Sequence, residues 1–246
     1  MRVYINFTFD KLELPTEYNQ ILQAFVLNLI DDEEYRKFLH DKGYTFGKRL
    51  YKLFSFSRLL GRFQIDRQTK TIKFFDHVVL IISTADERLI EFVVDRVGRF
   101  ENLRLGMNFV VPSKIEIFEL PETNHIVVST KSPVTVYSTV DKDGKKYTLY
   151  HSPHHEIFPK LLEDNLKRKF HAAFGKEFQG RLRIKNIGPN PKRVVVGYKE
   201  RKLDAWITVL ELEGEYEILK LAYDAGLGSK NSAGFGCIEL VQRDII

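Results

Sequence analysis

A glycine-rich stretch near the end of the chain restricts the fold more than any other part of the sequence. It runs from Gly226 to Gly236 as GLGSKNSAGFG, with four glycines in eleven residues. A run with helical apolar spacing, Tyr216 to Tyr223, precedes it, and an alternating run from Phe235 to Val241 follows. The stretch therefore connects the end of a helix to the start of a strand, whereas phosphate loops of the Walker and dinucleotide types lead from a strand into a helix. It predicts a loop whose backbone lies against a polyanion, with a plain glycine turn as the alternative.

The composition indicates a globular protein without a membrane segment. The 246 residues are 43% hydrophobic and 29% charged, enough for one large or two small domains. No run approaches the roughly 20 apolar residues of a membrane span, and the first residues lack the apolar core of a signal peptide. The single cysteine, Cys237, cannot form an internal disulfide, so we expect a reducing, cytoplasmic location.

Positive charge is concentrated in two tracts of a chain whose net charge is only +5. Nine Lys and Arg residues and one acidic residue lie between Lys42 and Lys73. Thirteen Lys and Arg residues and four acidic residues lie between Lys160 and Lys202. Two separate basic tracts favour a polyanion-binding face, while a solvated surface stays the alternative for either tract alone.

The apolar periodicity of the first half predicts the order β-α-β-β-α-β. Strands are expected at Arg2 to Phe9, Lys52 to Phe56, Thr71 to Ser83, Phe100 to Leu105 and Phe109 to Leu120, and helices after Pro15, from Asp31 to His40 and up to Gly98. Such a unit is ferredoxin-like, or RNA-recognition-like.

The same order recurs in the second half, after a joint at Pro121 to Asn124. Its expected strands are Val134 to Thr139, Arg181 to Lys185, Lys192 to Tyr198, Trp206 to Leu212 and the last strand, and its helices contain the stripe Phe158, Leu162, Leu166, Phe170, Phe174 and the run Tyr216 to Tyr223. We therefore predict an α+β protein of two tandem ferredoxin-like domains, residues 1–120 and 125–246.

Among the histidines, His40 has the most informative position. It closes a predicted helix directly before a basic tract, so it could exchange a proton with a ribose hydroxyl or a leaving oxygen, and a surface helix cap is the alternative. The cluster His151, His154 and His155 lacks the cysteine or carboxylate partners of a zinc site. We predict no metal and no other cofactor.

Five sequence blocks in order resemble the CRISPR repeat-processing endoribonucleases of the repeat-associated mysterious protein superfamily. The strongest is the glycine-rich stretch with its Lys230-Asn231-Ser232 centre. The others are LHDKG from Leu39, KLFSFS from Lys52, SPVTV from Ser132 and NLKRKF from Asn165. The resemblance covers nearly the whole chain.

The resemblance implies metal-independent cleavage of a CRISPR precursor RNA within its repeats. By this resemblance His40 is the general acid or base and Lys52 stabilises the charged phosphorane. A tyrosine that some members carry on the first helix is replaced here by Leu27, so Tyr44 or Tyr51 is considered as a substitute, and Tyr44 is taken as the third candidate. RNA supplies its own nucleophile, the 2′-hydroxyl, which gives a 2′,3′-cyclic phosphate and a 5′-hydroxyl.

The expected partner is CRISPR repeat RNA, and the protein is expected to be a monomer or a homodimer. Association with other CRISPR effector subunits stays open, as does a non-catalytic RNA-binding subunit as the alternative function. The predicted RNA-binding residues are Lys42, Lys48, Arg49, Arg58, Lys167, Arg168, Arg181, Arg183, Lys185, Lys192, Arg193, Gly226, Gly228, Lys230, Asn231, Ser232, Gly234 and Gly236.

Overall fold

The computed structural model describes residues 1–198 and 201–241 and shows a mixed α/β protein with several antiparallel sheets. The strands of the first half are β1 (Arg2–Thr8), β2 (Leu12–Pro15), β3 (Tyr44–Phe46), β4 (Arg49–Tyr51), β5 (Phe54–Phe56), β6 (Leu60–Asp66), β7 (Thr71–Thr84), β8 (Leu103–Leu105) and β9 (Asn108–Phe118). Those of the second half are β10 (His125–Thr130), β11 (Tyr137–Lys142), β12 (Lys145–Tyr150), β13 (Leu182–Asn186), β14 (Lys192–Tyr198), β15 (Arg201–Ile207), β16 (Val209–Gly214) and β17 (Ile238–Leu240). The helices are α1 (Asn19–Asn28), α2 (Glu33–Lys37), α3 (Glu87–Val97), α4 (Ile157–Phe174) and α5 (Tyr216–Ala225).

The first half folds around one sheet in which β9, β1 and β7 are neighbours and β5 and β6 pair with β7. The alternating residues Val3, Ile5 and Phe7 of β1 are buried, as the sequence pattern predicts. They belong to one apolar core with Phe25 of α1 and Val93 of α3. Two helices thus cover this sheet, as expected for a layered α+β unit.

The second half folds around a four-stranded sheet in the order β13-β16-β10-β17, with α4 and α5 inserted between its strands along the chain. Phe158, Leu162, Leu166 and Phe170 of α4 are buried in its core because residues four apart lie on one face of a helix. Phe174, the last member of the predicted stripe, is 52% exposed.

The first strand of the second sheet differs from the prediction. It is β10, whose Ile126, Val128 and Thr130 are buried in alternation, whereas Val134 to Thr139 was expected. Val134 instead forms an isolated bridge to Trp206, and β11 begins at Tyr137 in a separate hairpin with β12. The predicted end of the second domain, Ile246, lies outside the described residues.

The two halves are joined by buried polar contacts. The guanidinium of Arg2, at the start of β1, lies 3.0 Å from the ring centroid of Tyr223 and donates to the carbonyl of Ile238 at 2.6 Å. The N-terminal ammonium is 2.7 Å from the carboxylate of Asp224, which is almost fully buried. These contacts fix α5 and β17 against the first sheet. None of the described helices has the length and apolar content needed to cross a membrane.

Candidate functional site

A cleft of about 730 Å³ lies where the two halves meet. The first half contributes residues 49–53, at the end of the β3–β4 hairpin, and the second contributes α4 and residues 228–233 of the glycine-rich stretch. Tyr137 of β11 and Tyr198 of β14 also line the cleft. Five separate segments of the sequence thus share one cavity.

The two predicted basic tracts meet at this cleft. The β3–β4 hairpin packs on α4, where the ring of Phe46 lies 4.9 Å from that of His171. As a result Arg49 and Lys52 of the first tract and Arg168 of the second line the same cavity. Cations of both tracts are therefore close enough to act on one polyanion.

The remaining predicted cations lie outside the cleft lining. Lys42, Lys48, Lys167, Arg181 and Lys192 are exposed and Arg58 is half-buried. On the open face of the second sheet, Arg183 and Lys185 lie directly opposite Glu213 and Glu211 of β16. In the separate β14–β15 hairpin, Arg193 is 2.8 Å from the carboxylate of Asp204. The surface formed by β13 and β16 therefore carries both positive and negative charges, whereas the sequence alone indicated a cationic face for β13.

The buried glycines of the glycine-rich stretch have an internal role. Gly226, Gly228, Gly234 and Gly236 are all buried, and Gly228 is the one that lines the cleft, so RNA contact by the other three stays a prediction. A Cβ at Gly236 would overlap the carbonyl oxygen of Leu227, and its φ of +68° is one that other residues rarely adopt. These glycines let the loop fold back on its own backbone.

Asn231 also stabilises the loop from within. It is 8% exposed, and its amide donates to the carbonyls of Leu227 and Phe235 at 2.9 and 3.0 Å. Ser229, Lys230 and Ser232 keep more surface and line the cleft together with Gly228 and Asn231. The loop therefore offers its polar centre, and less of its glycine backbone, to a ligand.

His40 lies on a π-helical turn, Phe38–Lys42, that follows α2. Asp32 caps α2 by accepting from the backbone N–H of Tyr35 at 2.8 Å, and Gly43 ends the turn with a φ of +70°. The Nδ1 atom of His40 is 2.6 Å from Oδ1 of Asp41, which lowers the pKa of that carboxyl. Because this contact occupies Nδ1, Nε2 is the ring nitrogen that remains for a ligand.

The His40 hollow is a separate cavity of about 350 Å³, lined by His40, Asp41 and the side chains Gln23 and Leu27 of α1. Leu27 thus lies beside His40, which fits its assignment as the replacement of a tyrosine. His40 is not part of the cleft lining.

Lys52 lines the cleft and interacts electrostatically with Asp41, which lines the hollow. Its side chain lines the cleft and passes Gly43, where an added Cβ would be 2.9 Å from its Cδ. Burial lowers the pKa of Lys52, and the negative charge of Asp41 opposes that change. Nζ of Lys52 is buried and has no hydrogen-bond partner among the described residues, so no described group satisfies this ammonium by a hydrogen bond.

A second connection runs through α1. The hydroxyl of Tyr198, which lines the cleft, donates to Oε1 of Gln23, which lines the His40 hollow, at 3.1 Å. A hydrogen bond therefore joins the lining of the hollow to the lining of the cleft.

Tyr44 has a structural environment. Its hydroxyl donates to the carboxylate of Asp86, which also accepts from Tyr35 at 2.9 Å. Burial, followed by this carboxylate, raises the pKa of Tyr44 to about 12. A hydroxyl held in this way exchanges protons poorly near neutral pH, so we leave Tyr44 out of the proposed catalytic set.

Sequence reasoning missed several residues of the cleft wall. On α4, Asn165 and Lys169 are buried and line the cleft. Nζ of Lys169 donates to the carbonyl of Gly226 at 2.6 Å, and burial lowers the pKa of Lys169 to about 7. Both polar residues interrupt the apolar face of α4 between buried apolar neighbours. This interruption is a signal in the sequence that could have identified them as site residues.

One group of possible metal ligands is found among the described residues. His125, Glu211 and Glu213 place ligand atoms within 4.8 Å of one another on the open face of the second sheet. Lys185 and Arg183 lie beside them and lower the pKa of Glu211, after the larger effect of His125. This group is therefore already charge-compensated. In the predicted histidine cluster, Nε2 of His151 contacts Oγ of Ser138 at 2.9 Å.

Comparison with known proteins gives consistent matches over the whole chain. Residues 115–240 match the family model of CRISPR associated protein Cas6, C-terminal. The chain is 27% identical to CRISPR-associated endoribonuclease Cas6 1 of Methanocaldococcus jannaschii, covering 94% of this chain and 92% of that protein. It is 28% identical to Cas6nc of Pyrococcus horikoshii, described as endoribonuclease-like, over 95% of both chains. A solved structure described as CRISPR associated protein Cas6 superposes with a TM-score of 0.79 at 25% identity, covering 98% and 99% of the two chains.

Proposed function

This chain belongs to the Cas6 family of CRISPR-associated proteins, and we propose that it cleaves CRISPR precursor RNA within the repeats without a metal ion. The cut would release guide RNAs that end in a 2′,3′-cyclic phosphate and begin with a 5′-hydroxyl. The named relative from Methanocaldococcus jannaschii is an endoribonuclease over nearly the same length, which supports the assignment of activity.

One observation carries the proposal: an oriented imidazole and an unpartnered ammonium border the same carboxylate. Asp41 holds Nδ1 of His40 at 2.6 Å and is also within the field of Lys52. The side chain of Lys52 lines the cleft that both basic tracts reach. A proton-transfer group and a cation are thus available next to a surface that suits a polyanion.

In the proposed reaction the 2′-hydroxyl oxygen attacks the adjacent phosphorus and the bond from phosphorus to the 5′-oxygen breaks. His40 accepts the proton of the 2′-hydroxyl or donates one to the leaving 5′-oxygen through Nε2. Lys52 stabilises the additional negative charge on the phosphorane. The cleft cations Arg49, Arg168 and Lys230 would hold the RNA backbone.

We further propose that each half, residues 1–120 and 125–246, is a ferredoxin-like domain. In the second half the strands β10, β13, β16 and β17 occupy the spatial order 4-1-3-2 when counted along the chain. In the first half, β5 and β6 follow α1 along the chain and both pair with β7. Counted together as the second strand, they give the same spatial order with β1, β7 and β9 as the first, third and fourth strands.

Incubation with repeat RNA in EDTA tests the proposal directly. The protein should cut an RNA that carries the repeat of its own genome, and mapped products should show the cyclic phosphate and the 5′-hydroxyl. A matched RNA that lacks the 2′-hydroxyl only at the cut should stay intact. Cleavage that requires a divalent ion, or that proceeds without that hydroxyl, would contradict the mechanism.

A specific observation favours a second candidate function, a non-catalytic RNA-binding subunit. Leu27, with no group that transfers protons, lies beside His40 where the family resemblance suggests a tyrosine. This alternative keeps the cleft and its cations and does not need His40. Tight binding of repeat RNA with no cleavage over hours, in EDTA and in Mg²⁺, would support it.

A further inference from the structure

The wall of the cleft contains two polar side chains that each have a buried atom without a hydrogen-bond partner among the described residues. Asn165 of α4 is 6% exposed and Tyr51 of β4 is 9% exposed, and both line the cleft. Within the described residues, neither Oδ1 of Asn165 nor the hydroxyl of Tyr51 has a hydrogen-bond partner. Buried polar groups are nearly always paired, so an unpaired couple at one cavity needs an explanation.

The fold gives no reason to keep these groups. Asn is a poorer helix former than Leu, and burying an amide without a partner destabilises a protein. Leu161, one turn before Asn165, lies on the same face of α4 and also lines the cleft, so an apolar residue is acceptable there. The carboxamide is better explained by a ligand than by packing.

The chemistry of the carboxamide selects the part of RNA that it contacts. An ionised phosphate only accepts hydrogen bonds, so it can satisfy Lys52 and Arg168 but not the acceptor oxygen of Asn165. That oxygen needs a donor, which RNA supplies only on the edges of its bases and on its 2′-hydroxyls. The hydroxyl of Tyr51 can both donate and accept in the same cleft, and Tyr137, which is 37% exposed, offers a surface there for base stacking.

We propose that Asn165 and Tyr51 form a nucleotide-recognition subsite that binds a hydrogen-bond donor of one unpaired nucleotide of the RNA. The donor is an amino or imino group of the base, or the 2′-hydroxyl of its ribose. This inference rests on the proposed function, because it takes RNA as the ligand of the cleft. It adds sequence or sugar selectivity to a surface whose cations bind any RNA backbone.

Binding measurements with two sets of repeat RNAs test the subsite, all in EDTA so that no metal effect enters. One set changes the base of one nucleotide at a time, and the other removes one 2′-hydroxyl at a time. For wild-type protein we expect a change at one nucleotide position to lower the affinity about tenfold. A base contact would show this loss in the first set of RNAs, and a ribose contact would show it in the second. Asn165→Leu and Tyr51→Phe should bind the unmodified repeat about tenfold more weakly and lose that preference.

Thermal unfolding of the same variants separates recognition from folding. Asn165→Leu and Tyr51→Phe should unfold at or above the wild-type temperature, since each removes an unpaired buried group. The matched control is Tyr216→Phe, because the hydroxyl of Tyr216 donates to the carbonyl of Leu120 at 2.9 Å outside the cleft. That variant should unfold at a lower temperature and keep the RNA preference.

Two results would overturn the subsite. Either wild-type protein shows no positional preference in both sets, or Asn165→Leu and Tyr51→Phe keep every wild-type preference. A wild-type protein that binds no repeat RNA at all would instead contradict the proposed function, so the two failures can be told apart.

Discussion

The side-chain amide of Asn19 donates to the carbonyl of Gly234 at 3.2 Å, and also to that of Ala233 at 3.0 Å. Asn19 is the first residue of α1, and Leu27, near the other end of this helix, lines the His40 hollow. Helix α1 is therefore attached to the glycine-rich stretch at one end and borders the candidate catalytic histidine at the other. The position of His40 relative to the loop depends on this attachment.

Replacing Asn19 by Ala should destabilise the protein by about 1–3 kcal/mol, because two buried carbonyls lose their donor. Urea unfolding measures the change. Gln20→Ala, at the next and exposed position of the same helix, is the control and should change the free energy of unfolding by less than about 0.5 kcal/mol. Equal effects of the two substitutions would show that the contact does not stabilise the fold.

Gly236 and Gly144 provide a matched pair for the role of the glycine-rich stretch. Both have a positive φ, +68° and +73°, but a Cβ at Gly144 meets nothing within 4 Å whereas one at Gly236 overlaps the carbonyl oxygen of Leu227. Gly144→Ala should therefore cost only the backbone strain, about 1–2 kcal/mol. Gly236→Ala should cost at least about 2 kcal/mol more, since a backbone atom must move. Similar unfolding midpoints for the two variants would contradict the internal role of Gly236.

His40→Ala should lower the single-turnover cleavage rate of repeat RNA by about 10²–10⁴, the range for one acid-base group. Affinity for the uncut RNA should stay within about threefold of wild type, because the cations of the cleft are unchanged. His77→Ala, an exposed histidine of β7, is the control and should cut at the wild-type rate. Unchanged cleavage by His40→Ala would remove His40 from the mechanism.

The sequence predicted the elements well where one periodicity dominates. The alternation in β1 and the four-residue spacing in α4 follow directly from which face is buried. The sequence prediction missed β10 because Val134 to Thr139, a few residues later, shows a similar apolar pattern. The choice between the two depended on pairing with β16, a contact about 80 residues away in sequence.

The sequence selects candidate residue types for the site, whereas their arrangement depends on contacts in the fold. His40, Lys52 and the basic tracts were selected from charge, position and family resemblance. That Asn231 and the buried glycines stabilise the loop internally depends on contacts such as the amide of Asn231 with Leu227, which no local pattern specifies. The same holds for Tyr44, whose role is set by the distant carboxylate of Asp86.

The buried Lys169 should make the stability of the protein depend on pH. Burial lowers the pKa of Lys169 from the ordinary value of 10.5 to about 7 in the folded state. Below pH 7 both states carry the proton, so folding bears the full cost of burying the charge. Between pH 7 and 10.5 the unfolded chain still holds the proton that the folded protein has released. Because the unfolded state binds more protons there, the free energy of unfolding rises with pH.

Lys169→Met lacks this titration, so the difference in unfolding free energy, wild type minus variant, should increase from pH 7 to pH 9.5. The slope should approach about 1.4 kcal/mol per pH unit, the value for one proton. Urea unfolding of both proteins at several pH values in this window gives the difference, in which all other titrating groups cancel. Lys167→Met, at an exposed position of the same helix, should track wild type throughout. A difference between wild type and Lys169→Met that stays constant with pH would mean that Lys169 keeps an ordinary lysine pKa, because its contact with the carbonyl of Gly226 would then offset the cost of burying the charge.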